Sequence, residues 1–254
     1  MNPLFNPGFS LIFRQQLHRA DNRKLAELLD SNTWPAVFNK YDVFVYELCE
    51  ANISKEGEHG LAGDTLSLSE SITICNQLFE GLIQLENSNS CHNDLKPDNI
   101  LFNLDQNGEF KIKISDFNQA GRTGGTPGWT WPKFLTERRP GRSDTYSVAL
   151  LVLYIMSDNR DVFYRIRSNY VKKGQRWLAD FRNDPFFKLI IDMMNLEITP
   201  EEAKDRWDQI SGQVQIITKD YLRWTFGVDE LSLRVQDGME FAEINFAGLT
   251  LLDR

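Results

Sequence analysis

The sequence predicts an α+β domain in which helices dominate the second half of the chain. Ser67-Leu-Ser-Glu70 has the form of a capping box, and apolar residues follow it at helical spacing. Two apolar runs, 100–102 and 110–114, lie on either side of turn-forming residues and predict a β-hairpin. The longest apolar run, 148–156, is much shorter than the roughly 20 residues of a membrane span, so it predicts a buried helix.

The first third of the chain predicts one surface helix and one strand. Between Arg14 and Leu29, leucines recur on a polar background, which is typical of an amphipathic helix. The β-branched and aromatic run Val43–Tyr46 predicts a strand. The polar segment 47–63 predicts a loop, and the helix that begins after Ser67 is expected to end at about Glu86.

Three further helices and a second hairpin are predicted after the first hairpin. The glycine-rich segment 121–128 is expected to be irregular, and the next helix is expected to span 144–156. Pro185 suits the first turn of a helix that ends at 194, and Thr199-Pro-Glu-Glu202 caps a helix that ends at 210. An Asp-Gly pair within 231–246 predicts the second hairpin.

The composition is that of an ordinary globular protein. Of 254 residues, 41% are hydrophobic and 25% are charged, which excludes collagen-like, coiled-coil and wholly disordered chains. The net charge of −8 argues against nucleic acid or anionic lipid as a partner held by bulk electrostatics. We therefore expect a protein or a small ligand as partner, and neither nucleic acid nor membrane.

The cysteines and the N-terminus indicate a cytoplasmic protein. Cys49, Cys75 and Cys91 form no CxxC pair, so we expect reduced thiols and no zinc site. The N-terminus has no basic region before its apolar residues, and it is not expected to be a secretory signal.

Charged and amide side chains surround the first predicted hairpin. Asp94, Lys96 and Asn99 precede its first strand, and Asp116 follows its second strand. Phosphoryl transfer needs a group that positions the attacking hydroxyl, a cation beside the moving charge, and oxygen ligands for Mg²⁺. These four residues provide such groups. In the alternative interpretation the Asp and Asn residues only form turns and Lys96 is a solvated surface charge.

The order of the motifs resembles that of eukaryotic-type serine/threonine protein kinases. HNDLKPDNILF at 92–102 and SDFN at 115–118 are similar to the catalytic and metal-binding loops, and GTPG at 125–128 is similar to part of the activation segment. The resemblance covers about residues 43–215. It implies a protein kinase-like fold, mainly the helical C-terminal lobe (C-lobe), with a truncated N-terminal lobe (N-lobe).

The resemblance implies ATP and Mg²⁺ as cofactors and a role for each matching residue. Asp94 would be the catalytic aspartate that orients the substrate hydroxyl, and Lys96 would neutralise the γ-phosphate, as in serine/threonine kinases. Asn99 and Asp116 match the two Mg²⁺ ligands.

Further positions match the nucleotide site and its supports. Leu101 resembles the side chain under the adenine ring, and Glu47 and Cys49 match hinge positions whose backbone groups pair with adenine. Thr126 resembles the threonine that forms hydrogen bonds near the catalytic Asp and Lys. Asp144 resembles the buried aspartate whose carboxylate accepts backbone N–H groups of the catalytic loop.

The sequence departs from the family most before the hinge. The family's N-lobe needs roughly 60–70 residues there, yet Val43 already belongs to the hinge-like run. No G-x-G-x-x-G and no V-A-I-K occur in the sequence, and Arg14 with Glu27 is only a weak match to the family's lysine and glutamate. We therefore expect a reduced N-lobe remnant at 1–46, a kinase-like C-lobe at 47–225 and a C-terminal extension at 226–254.

Smaller departures concern single residues. Asn93 replaces an arginine that binds a phosphorylated activation segment, so switching by that phosphorylation is not expected. Asn118 replaces a glycine, and Lys133 stands where a glutamate would pair with Arg206, so two cations would face each other. We interpret His92 as structural, because kinases assign the base to the aspartate.

Two functions remain open from the sequence. The first is a serine/threonine protein kinase, with a partner that supplies the missing lobe in trans as one route to activity. The second is a truncated kinase mimic, or pseudokinase, that binds and regulates another kinase or scaffolds its partners. A truncated gene product is a third interpretation.

Overall fold

The computed structural model describes residues 49–54, 61, 66–120, 125–131, 142–173, 181 and 183–226. These residues form a small antiparallel sheet beside a layer of helices. In chain order the elements are β1 (Ala51–Asn52), α1 (Leu68–Asn87), β2 (Ile100–Leu104), β3 (Phe110–Ile114), α2 (Arg142–Met156), α3 (Arg160–Lys173), α4 (Pro185–Met194), α5 (Pro200–Ile210) and α6 (Lys219–Phe226). The α+β fold class predicted from the sequence is confirmed.

The helix α1 begins at the predicted capping box. The Glu70 N–H lies 3.3 Å from Ser67 Oγ, and the Ser67 N–H donates to Glu70 Oε2 at 2.7 Å. The helix buries one apolar stripe, which faces β3, α2 and α5 and consists of Ile74, Cys75, Leu78, Phe79, Leu82 and Leu85. The expected spacing and boundary of this helix are confirmed to within one residue.

The sheet contains the predicted hairpin and one strand that was not predicted. β2 and β3 pair antiparallel, from Ile100 opposite Ile114 to Leu104 opposite Phe110. At the other edge of β2, Ala51 lies opposite Phe102, so part of the segment expected to be a loop is the strand β1. Ala-Asn carries no strand pattern, and its strand conformation comes from the free hydrogen-bonding edge of β2.

The helix α2 is the centre of the helical layer. Its residues 143–156 are all buried, and the helix contacts α1 and α4. It begins two residues before the predicted start. The next two predicted helices are confirmed at α4 and α5, where Asp184 and Thr199 are the N-caps. On α5, Trp207 is fully buried, packs on Phe79 and donates to Asn76 Oδ1 at 2.7 Å.

The helices α3 and α6 were not predicted. α3 is strongly polar and buries a few side chains, among them Val162, Phe163 and Ile166, so its apolar periodicity is weak. α6 has only 8 residues. The predicted helix at 14–29, strand at 43–46 and hairpin at 231–246 lie outside the described residues, as does most of the expected N-lobe remnant and C-terminal extension.

None of the described helices combines the length and apolar character that crossing a membrane requires. Cys49, Cys75 and Cys91 form no disulfide bond in the structure.

Candidate active site

A buried carboxylate on α2 holds the start of the loop that precedes β2. Asp144 is 1% exposed, and its two oxygens accept the His92 N–H at 2.7 Å and the Asn93 N–H at 2.8 Å. Burial raises the pKa of Asp144 to about 6, although both N–H groups favour the charged form. The contact implied by the family resemblance is present, and it ties the loop to the central helix.

The ring of His92 links the same loop to the end of β3. His92 is fully buried, and its Nε2 lies 2.8 Å from the Ser115 carbonyl oxygen, which can only accept. Nδ1 therefore accepts the Asp94 N–H, at 3.2 Å. Burial lowers the pKa of His92 below its ordinary value, which favours the neutral ring. With both nitrogens engaged, the geometry supports the structural interpretation of this histidine.

Asp94 is the centre of a compact group of polar side chains. Its Oδ1 accepts the Thr126 N–H at 2.6 Å, and Lys96 Nζ lies 3.3 Å from Oδ2. Lys96 also donates to Thr126 Oγ1 at 2.8 Å. Asn99 Nδ2 donates to the Asp94 main-chain oxygen at 2.8 Å. The structure thus brings together three of the predicted site residues and Thr126.

The fourth predicted residue, Asp116, is positioned next to Asn99 through its neighbour in sequence. The N–H and Oγ of Ser115 both bond to the Asn99 carbonyl oxygen, at 2.8 and 3.1 Å. Asp116 itself adopts the left-handed conformation, with φ 65° and ψ 62°, which is strained for most residues and tolerated by Asp. Its Oδ1 is buried and has no hydrogen-bond partner within the described part of the chain.

Asn99 and Asp116 fit a Mg²⁺ ion. A buried carboxylate oxygen without a partner is costly unless a cation satisfies it. Because Asn99 Nδ2 is engaged with Asp94, its amide oxygen is the atom left for a cation. The described residues contain no group of three His, Cys, Asp or Glu side chains arranged for a metal. An ion held by Asn99 and Asp116 would complete its shell with phosphate and water oxygens, as Mg²⁺ commonly does.

The segment after the site depends on a glycine and on Asn93. Gly125 has φ 138°, and a Cβ there would overlap Thr130 Oγ1 and the Asn93 carbonyl oxygen. Asn93 has φ 66° and donates from Nδ2 to the Gln119 carbonyl oxygen at 3.2 Å. The residue that replaces the family's arginine therefore ties the two loops together directly.

The predicted nucleotide residues are only partly described. Leu101 is half-buried on β2, between the buried Ile100 and Phe102, so it points away from the core beneath the sheet. Cys49 is half-buried just before β1, and Glu47 lies outside the described residues.

Arg206 has an acidic partner in the structure. Its guanidinium pairs with Asp192 at 2.6 Å, whereas Lys133, the cation expected to face it, lies outside the described residues. The side chain of Asn118 is not described either.

Sequence analysis did not predict the roles of two residues near the site. Ser115 fixes Asn99 through two hydrogen bonds, but a serine at the end of a strand carries no signal of that role. Arg167 lies on α3, a helix that was not predicted, and its guanidinium lies 5.8 Å from the centre of the Trp129 ring. Finding it from the sequence would have required a prediction of the helix at 160–173.

Comparison with known proteins gives one consistent match. The family described as "Protein kinase domain" matches residues 17–225, which extends the similarity beyond the N-terminal limit expected from the motifs. The chain is 27% identical over 155 residues to the serine/threonine-protein kinase ste20 of Aspergillus fumigatus, covering 53% of this chain and 18% of that protein.

Two further relatives agree. The ste20 kinase of Aspergillus oryzae is 30% identical over 163 residues, covering 56% of this chain and 18% of that kinase. The calcium and calcium/calmodulin-dependent serine/threonine-protein kinase of Lilium longiflorum is 29% identical over 175 residues, with 62% of this chain and 32% of that kinase covered. The matched region spans less than a third of each of these relatives.

Proposed function

Because the chain belongs to the protein kinase family, we propose that it is a serine/threonine kinase that transfers the γ-phosphoryl group of Mg-ATP to a protein hydroxyl. One observation carries the proposal. Asp94, Lys96 and Asn99 are in mutual contact, and Asp116, fixed next to them, has a buried oxygen without a described partner.

In this proposal Asp94 orients the substrate hydroxyl and accepts its proton as the new oxygen–phosphorus bond forms. The bond from the γ-phosphorus to the bridging oxygen breaks, and ADP leaves. Thr126 holds Oδ1 of Asp94, so Oδ2 is the oxygen that faces the reacting groups. Lys96 Nζ, near that oxygen, neutralises charge on the moving phosphoryl group.

Asn99 and Asp116 hold Mg²⁺ in this proposal, and the bound ion supplies charge neutralisation at the phosphate oxygens. Leu101 lies under the adenine ring, and the backbone groups of Glu47 and Cys49 pair with adenine. The half-buried position of Leu101 on the outer face of β2 supports its part in this assignment.

The alternative is a catalytically weak or inactive kinase mimic that binds and regulates another kinase. The observation that favours it is the lack of a G-x-G-x-x-G and a V-A-I-K motif in this sequence. In the family these motifs hold the phosphates from the N-lobe, and positioning supplies much of the rate acceleration. A partner that provides the missing contacts in trans would reconcile this observation with activity.

Calorimetric titration with Mg-ATP separates the two functions. We expect the full chain to bind Mg-ATP in the micromolar range, and we expect Asp116→Ala or removal of Mg²⁺ to weaken binding at least about tenfold. The matched control is Asp98→Ala, because Asp98 is exposed, directly precedes the proposed ligand Asn99 and gives the same change of charge. It should bind like the wild type.

Transfer of labelled phosphate to a serine peptide is the second readout. Asp94→Asn should abolish transfer and leave most of the Mg-ATP affinity, since Asp94 acts on the hydroxyl rather than on the nucleotide. Absence of both binding and transfer, with and without added kinase-domain partners, would favour the mimic.

A further inference from the structure

One arginine beside the candidate site has no partner of opposite charge among the residues that the structure describes. Arg167 is half-buried on α3 with its guanidinium over the Trp129 ring, and it makes no hydrogen bond or ion pair with any described residue. The phenol groups of Tyr146 and Tyr164 act electrostatically on its charge. A guanidinium carries five N–H donors, so this side chain keeps donor capacity for a ligand.

Burial makes this cation unusual. It lowers the pKa of Arg167, and the two tyrosines only partly oppose that shift. Arginine remains charged even so. A partly desolvated cation that lacks an anion among the described residues favours the binding of one, because part of the cost of removing water from the guanidinium already falls on the folded protein.

Arg167 is close to the reacting groups. A Cβ at Gly128, which has φ 85°, would overlap the guanidinium, so the arginine lies directly on this turn. The Trp129 N–H donates to the Thr126 carbonyl oxygen at 3.1 Å, and Thr126 contacts both Asp94 and Lys96. A single turn of backbone therefore separates Arg167 from the residue that would orient the substrate hydroxyl.

We propose that Arg167 binds an acidic side chain of the protein substrate, a carboxylate or a phosphate, close in sequence to the hydroxyl that is phosphorylated. The proposal rests on the proposed function and adds the substrate class. A four-residue turn spans less than about 7 Å, and an extended peptide advances about 3.3–3.6 Å per residue. With the side chains added, the acidic residue is expected roughly three or four positions from the hydroxyl.

The chemistry of the site suits this ligand. Arginine binds carboxylate and phosphate with two parallel N–H donors, and the guanidinium of Arg167 lies over the Trp129 ring, 5.8 Å from its centre. The chain as a whole has a net charge of −8 and repels acidic peptides at long range. Selection of an acidic residue therefore requires a local cation, and Arg167 provides one.

The test is fluorescence anisotropy with labelled serine peptides in which one glutamate is moved stepwise through the flanking positions. Each peptide has a glutamine counterpart, and a second series carries phosphoserine. At the best position we expect the acidic peptide to bind about tenfold more tightly than its glutamine counterpart. Arg167→Gln should bring that ratio close to one, whereas Arg223→Gln, an exposed residue of α6 with the same charge change, should keep it.

If Arg167→Gln does not fold, Arg167→Lys replaces it, since lysine retains the charge without the paired donors and should lower the ratio by a factor of about three. No acidic preference at any position in the wild type, or an equal preference in the Arg167 variants, would overturn the inference. An acidic preference without phosphate transfer would reject the kinase activity and leave the anion site standing. Preference for phosphoserine over glutamate would identify a phosphorylated substrate.

Discussion

Two buried aspartates of this chain are held in opposite ways. Asp144 on α2 accepts two backbone N–H groups, and burial raises its pKa to about 6. Asp192 on α4 is 5% exposed, and it accepts Lys188 at 2.7 Å and Arg206 at 2.6 Å. Burial acts to raise the pKa of Asp192, but the two cations outweigh it, and the pKa lies below its ordinary value.

This difference shows that Asp192 stabilises the fold, whereas Asp144 positions the candidate site. At neutral pH the charge of Asp192 is favourable in the folded state, because two cations surround it. The charge of Asp144 is unfavourable there relative to the unfolded chain, yet this is the residue that fixes His92 and Asn93 beside Asp94. Asp144 thus positions the loop although its ionisation costs stability, whereas the charge of Asp192 stabilises the packing of α4 against α5.

The largest effect is expected from Asp144→Ala under acidic conditions. The substitution leaves the buried N–H groups of His92 and Asn93 without an acceptor, which should lower the free energy of unfolding by about 3 kcal/mol at about pH 4.5. Urea unfolding measures this change. A loss below about 1 kcal/mol would show that water or another group replaces the carboxylate.

The pH dependence of that loss is the next largest effect. Since the folded-state pKa of Asp144 lies above its unfolded value of 3.8, the wild type loses stability as the pH rises from about 4 to about 6. Asp144→Ala lacks this titration, so the difference between variant and wild type should shrink by about 2 kcal/mol from about pH 4.5 to about pH 7.5. Unfolding curves across this range that stay parallel would contradict the raised pKa.

Asp192→Ala should have the opposite dependence and a smaller size. It should cost about 1–2 kcal/mol at neutral pH, because the two cations it releases are partly exposed and regain water. The pKa of Asp192 is depressed, so its contribution is present above about pH 4 and is lost as the pH falls through its folded value. The same urea experiment below about pH 4 checks whether variant and wild type converge.

The smallest effect is expected from Lys188→Gln. Lys188 is 54% exposed, and we expect its pair with Asp192 at this helical spacing to contribute about 0.5 kcal/mol, because the ammonium group regains water when the pair is broken. Lys204→Gln, which breaks the pair with Asp208 on α5, is the matched control. If Lys188→Gln cost several times more than the control, Lys188 rather than Arg206 would be the main partner of Asp192.

The elements predicted correctly are those with strong local signals. The capping residues Ser67 and Thr199 mark α1 and α5, and the turn residues between 104 and 110 mark the hairpin. β1 could not be predicted, because two residues pair there only with an edge formed fifty residues later. α3 was missed because it is strongly polar, and the few side chains that it buries, such as Phe163 against Trp129, give it a weak apolar periodicity.

In the candidate site, too, residues with a local sequence signal could be predicted and long-range contacts could not. The resemblance identified Asp94, Lys96, Asn99 and Asp116 because their spacing is a local property of one hairpin. Contacts between distant segments, such as the two donors of Ser115 and the position of Arg167, depend on packing and could not be derived from the sequence. The roles assigned to the site residues stay predictions, and Glu47 lies outside the described residues.

The hydrogen bonds that Asp144 accepts also set a limit on when the site can form during synthesis. His92 and Asp144 are separated by 52 residues, and the ribosome makes the loop that contains His92 first. At about 5–20 residues per second, several seconds pass before the acceptor for its N–H groups exists. A nascent chain that ends before α2 therefore contains Asp94, Lys96 and Asn99 but lacks the support that fixes their positions. We expect nascent chains of increasing length to acquire nucleotide binding only after α2 has emerged.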